Sequence, residues 1–438
     1  ESGCEPVPLG ICSDDPEEMK TKIQQALVVA DAIVTSGSTS AGAGDILYRI
    51  IGEFGGPGIV VHGLSVKPGK PLIVAVIEGK PLFGLPGYPT SALMIFNLIV
   101  KPNISKMAGR AAESATWLEG KVASKIFSAK GRREFLPVHI VKDEAGKNLV
   151  YPVLSGSGAI TSLALADGFI DIPQNQEFIE EEENVRVELF SLMFQATDLV
   201  FIGSHCIGLD ILFSCLRRRT PTLSFKIINT GSIGGLQAVK RGEADVAGVH
   251  LLDESTGEYN LPFLHQYGMA ETATLIRGYN REQGFIVPKG NPKRIKSFED
   301  LLRDDISFIN RNLGSGTRLL IDLNLRKVAE AKGLDLSQVT NRIRGYRIEA
   351  RSHSAVALAI LNGKGDVGFG IRTAAEIYGL DFIKYANEKY DFLVPKRRLG
   401  RNPVKQLVSE LRSIEFRSEL ERSAPGLVTT EETGRVIS

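Results

Sequence analysis

Nothing in this chain offers a disulfide framework or a structural zinc site. Its 438 residues hold four cysteines, Cys4, Cys12, Cys206 and Cys215, with no Cys-x-x-Cys pair, and its six histidines are scattered. Isolated cysteines of this kind read as small buried hydrophobes. Neither sign of charge is in excess: 52 Lys and Arg stand against 51 Asp and Glu, a formal net charge of +1. No overall basic field draws nucleic acid or an anionic membrane, so anion chemistry has to come from local sites. No run reaches the ~18–20 apolar residues of a membrane span; residues 93–100 are apolar, but Pro102 ends them. The start lacks a charged, apolar leader and reads as mid-domain, so further N-terminal chain is expected before Glu1. Glycine is abundant, 45 residues, as expected where backbone N–H groups approach a ligand closely.

The length suggests about three domains, and hydrophobic periodicity divides the chain accordingly. Ser13-Asp14-Asp15-Pro16 opens a helix over 17–30. A strand at 31–35, a Gly/Ser/Thr loop at 36–44 and a helix at 46–54 follow. Strands at 59–62, 72–77 and 81–84 and an apolar helix at 90–100 complete this part. The alternation predicts a parallel sheet with covering helices. Beyond about residue 110, short strands at 118–128, 133–142, 148–153, 168–172 and 185–190 predict a small β domain of barrel type. The four-carboxylate run 180–183 reads as a solvated turn. From 196 a second α/β unit is expected, with strands at 198–202, 224–229, 245–249, 366–370 and 391–394. Residues 285–288 open its second block. Its helices fall at 208–219, 233–240, 297–303, 318–332, 355–361 and 404–420.

Three features cluster in the first 90 residues. The small residues of 35–44, between a strand and a helix, let N–H groups converge on a phosphate. Asp45 lies at the loop's end, where a carboxylate beside phosphate usually holds a divalent metal. Lys67 and Lys70 flank Pro68-Gly69, a stiff turn that can aim two ammonium groups at one anion. Each feature alone is more often structural: a loop, a helix start, surface charge. Their joint order is what is specific. Ile11-Cys12-Ser13-Asp14-Asp15, residues 31–45, Lys67-Pro68-Gly69-Lys70-Pro71 and Gly84-Leu85-Pro86-Gly87-Tyr88-Pro89 resemble the molybdopterin-binding domain of the molybdopterin molybdenumtransferases, the gephyrin E-domain family. Gly131-Arg132-Arg133-Glu134-Phe135, Gly156-Ser157-Gly158 and residues 162–168 resemble that family's C-terminal β domain.

The resemblance, over roughly residues 1–190, implies insertion of molybdate or tungstate into adenylylated molybdopterin, with release of AMP and assistance from Mg2+. It implies a catalytic set of Asp15, Asp45, Lys67 and Lys70, and metal ligation by Asp14 and Asp45. Thr35, Gly37, Ser38, Ser40, Gly42, Pro86, Gly87 and Ser91 would bind the pterin and its phosphate. A homodimer, a molybdopterin adenylyltransferase partner and a cytoplasmic address are also implied. This chain departs from the pattern in three ways. Ser38 stands where the family has Gly, Tyr88 stands where it has Asn, and residues 1–438 begin after the family's N-terminal domains.

In the second unit, three Gly/Ser/Thr loops precede helices, at Ser204, at Thr230–Ser232 and at Ser315–Thr317. Hydroxyls and N–H groups at helix N-termini form a neutral anion cradle, although any single one is most often only an N-cap. Arg318 or His353 is expected to supply charge. The spacing of His205 and His250 beside Cys206 fits no zinc pattern and reads as packing. Residues 202–205, 230–236, 244–253, 257–260, 310–311, 314–318 and 388–391 resemble a periplasmic-binding-protein-like domain, kin to tungstate- and molybdate-binding proteins and to LysR-type effector domains. Family members often carry Asp where Cys206 stands. The implied ligand site comprises Ser204, Thr230, Ser232, Ser315, Thr317, Arg318 and His353. Arg217–Arg219 and Lys396–Arg398 read as solvated surface, and with no helix-turn-helix in view no DNA binding is expected.

The expected architecture is α/β throughout. A molybdopterin-binding three-layer α/β domain (1–110) is followed by a small β-barrel (111–192). A two-lobed type II periplasmic-binding-protein-like domain (196–438) completes it, with lobes of about 196–280 plus 385–438 and 281–384. The expected function is a molybdenumtransferase with a fused oxyanion-capturing or sensing module. The alternative reading is a non-catalytic oxyanion-binding or regulatory protein with a degenerate pterin half.

Overall fold

The computed structural model describes residues 2–39, 46–111, 115–153, 165–191, 194, 196–313, 315–350 and 352–437. It forms two compact units, Glu1–Ala196 and Thr197–Ser438.

Unit 1 opens with α1 (Pro16–Val29). Asp15 caps it by accepting from the Glu18 N–H at 2.8 Å, and Pro16 takes the first turn, where its missing N–H costs nothing. Met19, Ile23, Ala26 and Leu27 recur at helical spacing and bury one face. That face packs on a four-stranded sheet of β1 (Ile33–Ser36), β2 (Gly58–His62), β4 (Ile73–Ile77) and β5 (Lys80–Leu85), ordered β1-β5-β4-β2; β3 (Val66–Lys67) lies outside it. The parallel sheet expected from sequence is corrected here. Only β1 and β5 run parallel, while β4 pairs antiparallel with both β5 and β2. The cause is local: Glu78 and Gly79 both have positive φ (50° and 78°), the geometry of a two-residue type I′ hairpin turn. Helix α2 (Leu47–Glu53) lies between β1 and β2, and Pro89–Met107 forms a helical stretch after β5 with a π-helical segment at Phe96–Val100.

Strands β6 (Trp117–Val122), β8 (Arg133–Lys142), β9 (Asn148–Pro152), β10 (Gly168–Ile172) and β12 (Asn184–Leu189) close into a five-stranded barrel, because β10 pairs with both β12 and β8. Closure removes the open edges that short strands would otherwise expose. Val122, Val138, Ile140, Val150, Ile170 and Val187 fill the interior. Strand β3 pairs in parallel with the start of β8, which ties the loop carrying Lys67 to the barrel.

Unit 2 is built on two long antiparallel strands, β16 (Ala273–Val287) and β20 (Asp381–Pro395), paired along nearly their whole length. Near one end, Ile276, Tyr279, Tyr390 and Phe392 join a core with β13 (Leu199–Gly203) and α5 (Ile207–Arg219). Near the other, Phe285 and Val287 join a second core with β17 (Phe308–Arg311), α8 (Gly316–Ala331) and β19 (Val367–Ile371). The unit therefore has two lobes that share both long strands. Along the pair the register shifts twice, at Arg277/Tyr279 within the first core and at Gln283/Gly284 just before the second. The first lobe also holds β14 (Phe225–Asn229), α6 (Gly231–Lys240) and β15 (Ala247–Val249); the second holds α10 (His353–Leu361).

Sequence reasoning saw only the ends of the long strands. Their middles are polar, as in Arg277-Gly278-Tyr279-Asn280-Arg281-Glu282-Gln283, and the sequence reading assigns them to no element. The expected single helix 404–420 is two, Asn402–Leu411 and Ile414–Ser423, because the Ser413 hydroxyl accepts from the Phe416 N–H and starts a new helix.

Candidate functional site

A cavity of about 1070 Å³ in unit 2 opens where four helices begin. The starts of α5, α6, α8 and α10 each contribute a short hydroxyl-bearing segment: Ser204–Ile207, Thr230–Ile233, Ser315–Leu319 and Ser352–Ser354. Helix N-termini carry partial positive charge and unsatisfied N–H groups, so together they favour an anion. All seven residues named from sequence for this site, Ser204, Thr230, Ser232, Ser315, Thr317, Arg318 and His353, line the cavity.

Their chemistry differs from expectation in one respect, the source of charge. Arg318 donates to Asp322 at 2.9 Å and to Glu349 at 3.1 Å, so carboxylates neutralise it. Burial, with Arg311 and Arg281 nearby, pushes His353 well below the usual histidine range and keeps its ring neutral. Ser315 is engaged on both sides, donating to the Asn312 carbonyl and accepting from the Arg318 N–H. The free charge sits instead on Arg311, which is 7% exposed. Its Nη1 donates to the Ala350 carbonyl at 2.6 Å and to Asn312 at 3.2 Å, and its buried Nε has no partner among the described residues. Among the described residues no carboxylate pairs with it. Burial and Arg281 lower its pKa, although a guanidinium so lowered remains charged at neutral pH.

Sequence reasoning also missed a polar chain that ends in this cavity. Arg281 and Glu388 face each other across β16 and β20, between the two lobe cores. Arg281 Nε donates to Glu388 Oε2 at 2.7 Å, with a second bond from Nη2. Glu388 Oε1 meets His250 Nδ1 at 2.9 Å, and His250 Nε2 meets Ser204 Oγ at 2.8 Å. Burial alone would raise the Glu388 pKa, but Arg281 and His250 hold it well below the ordinary carboxylate range. His250 is thus a relay between Ser204 and the crossing strands, in place of the packing role expected for it. His205 bonds to Asp210 at 2.8 Å, and Cys206 Sγ meets Tyr279 Oη at 2.9 Å.

In unit 1, β1 and β5 end together, bringing 35–38 beside 85–87. The Gly37 N–H donates to the Leu85 carbonyl at 3.1 Å, and Ser36 Oγ to the Pro86 carbonyl at 3.3 Å. A Cβ on Gly87 would stand 3.6 Å from Gly37 Cα. Thr35, Gly37, Ser38 and Asp14 line a groove of about 940 Å³, and Thr35 Oγ1 is buried there with no partner among the described residues. Ser38 donates to Asp14 at 2.8 Å. Asp15 is the cap of α1. Ser91 is buried in the helix after β5. Lys67 pairs with buried Glu134 at 2.7 Å, so the barrel motif at 131–135 neutralises it; Lys70 is exposed and has no ion pair among the described residues. Ser40, Gly42 and Asp45 lie outside the described residues. Among those described, no cluster of three His, Cys, Asp or Glu side chains could hold a metal. Of the expected metal pair only Asp14 is described, so the residues in view do not make a metal cage.

Comparison with known proteins agrees with this division. Residues 1–106 match the family described as "Probable molybdopterin binding domain", 119–190 match the MoeA C-terminal region (domain IV), and 214–412 match the PBP superfamily domain. The chain is therefore a fusion of molybdenum-cofactor-biosynthesis domains with a binding-protein-like domain. It belongs to the family of Bacillus subtilis protein YvgK, to which it is 34% identical over 241 residues, covering 54% of this chain and 73% of that protein. It is 28% identical over 190 residues to the molybdopterin molybdenumtransferase of Haemophilus influenzae, covering 43% of this chain and 46% of that one. A solved molybdopterin biosynthesis MoeA protein from Pyrococcus horikosii is 43% identical, with a TM-score of 0.35, covering 42% of this chain and 43% of that one. The chain thus spans less than half the length of these two molybdopterin relatives. No helix among the described residues is long and apolar enough to cross a membrane.

Proposed function

We propose that the chain serves molybdenum cofactor biosynthesis in two steps. Unit 2 captures molybdate or tungstate in its cleft, and unit 1 inserts the oxyanion into adenylylated molybdopterin with release of AMP. The observation that carries the first step is Arg311, a buried guanidinium with an unpartnered Nε and no carboxylate on it, placed where four helix N-termini open onto one cavity. A buried unsatisfied donor is costly, and an oxyanion supplies what it lacks.

For the second step, the 35–38 loop and Lys70 are the groups that would offset charge on the phosphate, and the unpartnered Thr35 hydroxyl would reach it. Breaking the phosphoanhydride of adenylylated molybdopterin requires that charge to be offset on the leaving AMP. Lys67, neutralised by Glu134, positions the turn and does not contact substrate. Mg2+, when bound, would neutralise phosphate charge near Asp14 and Asp45. A homodimer and an adenylyltransferase that supplies the substrate belong to the same reading, as does a cytoplasmic address.

The test is a thermal-unfolding titration of the full chain with molybdate, tungstate, sulfate and phosphate at submillimolar concentrations, where general salt stabilisation is small. A ligand at 100-fold its dissociation constant raises stability by about 2.7 kcal/mol. No shift with any of the four sinks the oxyanion reading.

A further inference from the structure

The hydrogen-bond chain at Ser204 sets a condition on the anion. Glu388 carries a negative charge and accepts from Arg281 and from His250 Nδ1. With Nδ1–H directed at Glu388, a neutral His250 ring presents Nε2 as an acceptor. The Ser204 hydroxyl at 2.8 Å must then donate inward. Ser204 would face the cavity with lone pairs only, which repel an oxyanion that carries no proton. A protonated His250 reverses this: it donates to Glu388 and to Ser204 Oγ at once, and the Ser204 proton turns toward the ligand.

Charge points the same way. Arg281 and Glu388 cancel, His353 is neutral and Arg318 is neutralised, which leaves Arg311 as the one uncompensated cation among the described lining residues. A dianion brings one charge more than Arg311 offsets. Of the groups around His250, the Glu388 carboxylate favours the added proton, whereas the N-terminus of α8 and Arg311 oppose it. Glu388 lies on one side and Ser204 on the other, the Tyr390 ring stacks at 6.1 Å, and the N-terminus of α8 approaches at Gly316. Arg311 and His353 line the same cavity. His353 is the poorer proton site: its buried Nδ1 has no acceptor, and Arg311 stands nearby.

We infer that unit 2 binds its dianionic oxyanion together with one proton, which His250 takes up, so that His250 and Ser204 act as a proton-coupled donor pair. This rests on the oxyanion reading above.

Calorimetric titration of the full chain with molybdate and with sulfate, at one pH in buffers of different ionisation enthalpy, measures the coupling. Uptake approaching one proton per anion is expected, with affinity rising up to tenfold per unit of falling pH. In His250→Gln, uptake should vanish and the affinity should lose its pH dependence while binding persists. Anion binding without proton uptake overturns this inference alone. Uptake that survives in His250→Gln but vanishes in His353→Gln overturns the assignment to His250, and uptake that survives both places the proton on the anion and overturns it as well. If His250→Gln does not fold, the wild-type buffer series with Ser204→Ala decides. Ser204→Ala should weaken binding tenfold or more, and unchanged affinity overturns the donor role. Absence of heat and of any thermal shift with every oxyanion fails the underlying ligand reading instead.

Discussion

Arg311 carries the largest single consequence. Arg311→Leu removes the uncompensated charge and should weaken oxyanion binding at least a hundredfold, since hydrogen bonds to charged groups are worth about 1.5–3 kcal/mol each. Because the wild-type guanidinium has an unsatisfied Nε, the variant should unfold no earlier than wild type when ligand is absent. Arg318→Leu should behave the other way, losing stability with Asp322 and Glu349 left unpaired. Thermal unfolding with and without molybdate separates the two. Both arginines were visible in sequence beside the Gly-Ser-Gly-Thr loop. What sequence could not show is that the carboxylate partners of Arg318 lie four residues on and on a distant strand, whereas Arg311 has no carboxylate partner among the described residues.

Glu388 makes a statement about pH. Its folded pKa is depressed below the ordinary 4.5, so the stability it contributes is fully present above that value. It is lost as pH falls below 4.5 toward the depressed folded value. The wild type should therefore destabilise in acid over that window. In Glu388→Gln this component of the acid slope should disappear, alongside a loss of about 3–5 kcal/mol at neutral pH from leaving buried Arg281 unpaired. Urea midpoints across pH for both proteins check the sign.

In unit 1, Ser38 sits at φ 50° where the related family has Gly. An L-residue in that region costs about 1–2 kcal/mol, which the Asp14 bond and the reduced freedom of the unfolded chain partly offset. Ser38→Gly should be neutral to within about 1 kcal/mol, while the β-branched Ser38→Val should cost more than that. The departure was readable as a motif mismatch; its backbone consequence needed the structure.

Secondary structure was legible where polarity and burial agree. The barrel strands alternate plainly, and α1 announces its cap. Legibility failed where polar residues are buried in mutual pairs. The middle of β16 is the case: Arg281 is buried only because Glu388 faces it from β20, a partner 107 residues away. The helix starts around the cavity read from sequence as an anion cradle; Ser315 is in fact an N-cap, as is Ser352, which the sequence reading does not name, and their hydroxyls accept from the N–H of Arg318 and Ala355. Ser315→Ala should therefore cost about 1 kcal/mol of stability yet change oxyanion affinity little, since its hydroxyl is already engaged on both sides. Ser232→Ala should instead weaken oxyanion binding, alongside a stability cost from leaving the His250 N–H without its acceptor. Ser232 Oγ accepts from the His250 N–H at 3.1 Å and keeps its own proton for the ligand. Parallel melts and anion titrations of the two variants distinguish cap from ligand group.

Across the whole molecule, ligand and reporter fall on different units. Unit 1 has cores on both faces of the mixed sheet and inside the barrel, and each lobe of unit 2 has cores of its own. The chain holds a single tryptophan, Trp117 on barrel strand β6, with the Arg186 guanidinium 4.2 Å from its ring centroid. Its fluorescence therefore follows the unfolding of unit 1. Seven of the ten tyrosines, Tyr259, Tyr267, Tyr279, Tyr346, Tyr378, Tyr385 and Tyr390, lie in unit 2, and Tyr279 and Tyr390 stack in its core at 5.0 Å. Linkage stabilises the unit that binds, by an amount set by ligand excess alone. Molybdate at 100-fold its dissociation constant should raise the tyrosine-detected transition by the equivalent of about 2.7 kcal/mol and leave the Trp117 transition where it was. A common shift of both signals would mean that the chain unfolds as one cooperative body, and oxyanion capture would then stabilise the pterin-binding half as well. A shift of the Trp117 signal alone would place the oxyanion in unit 1 and remove the capture role from the cleft.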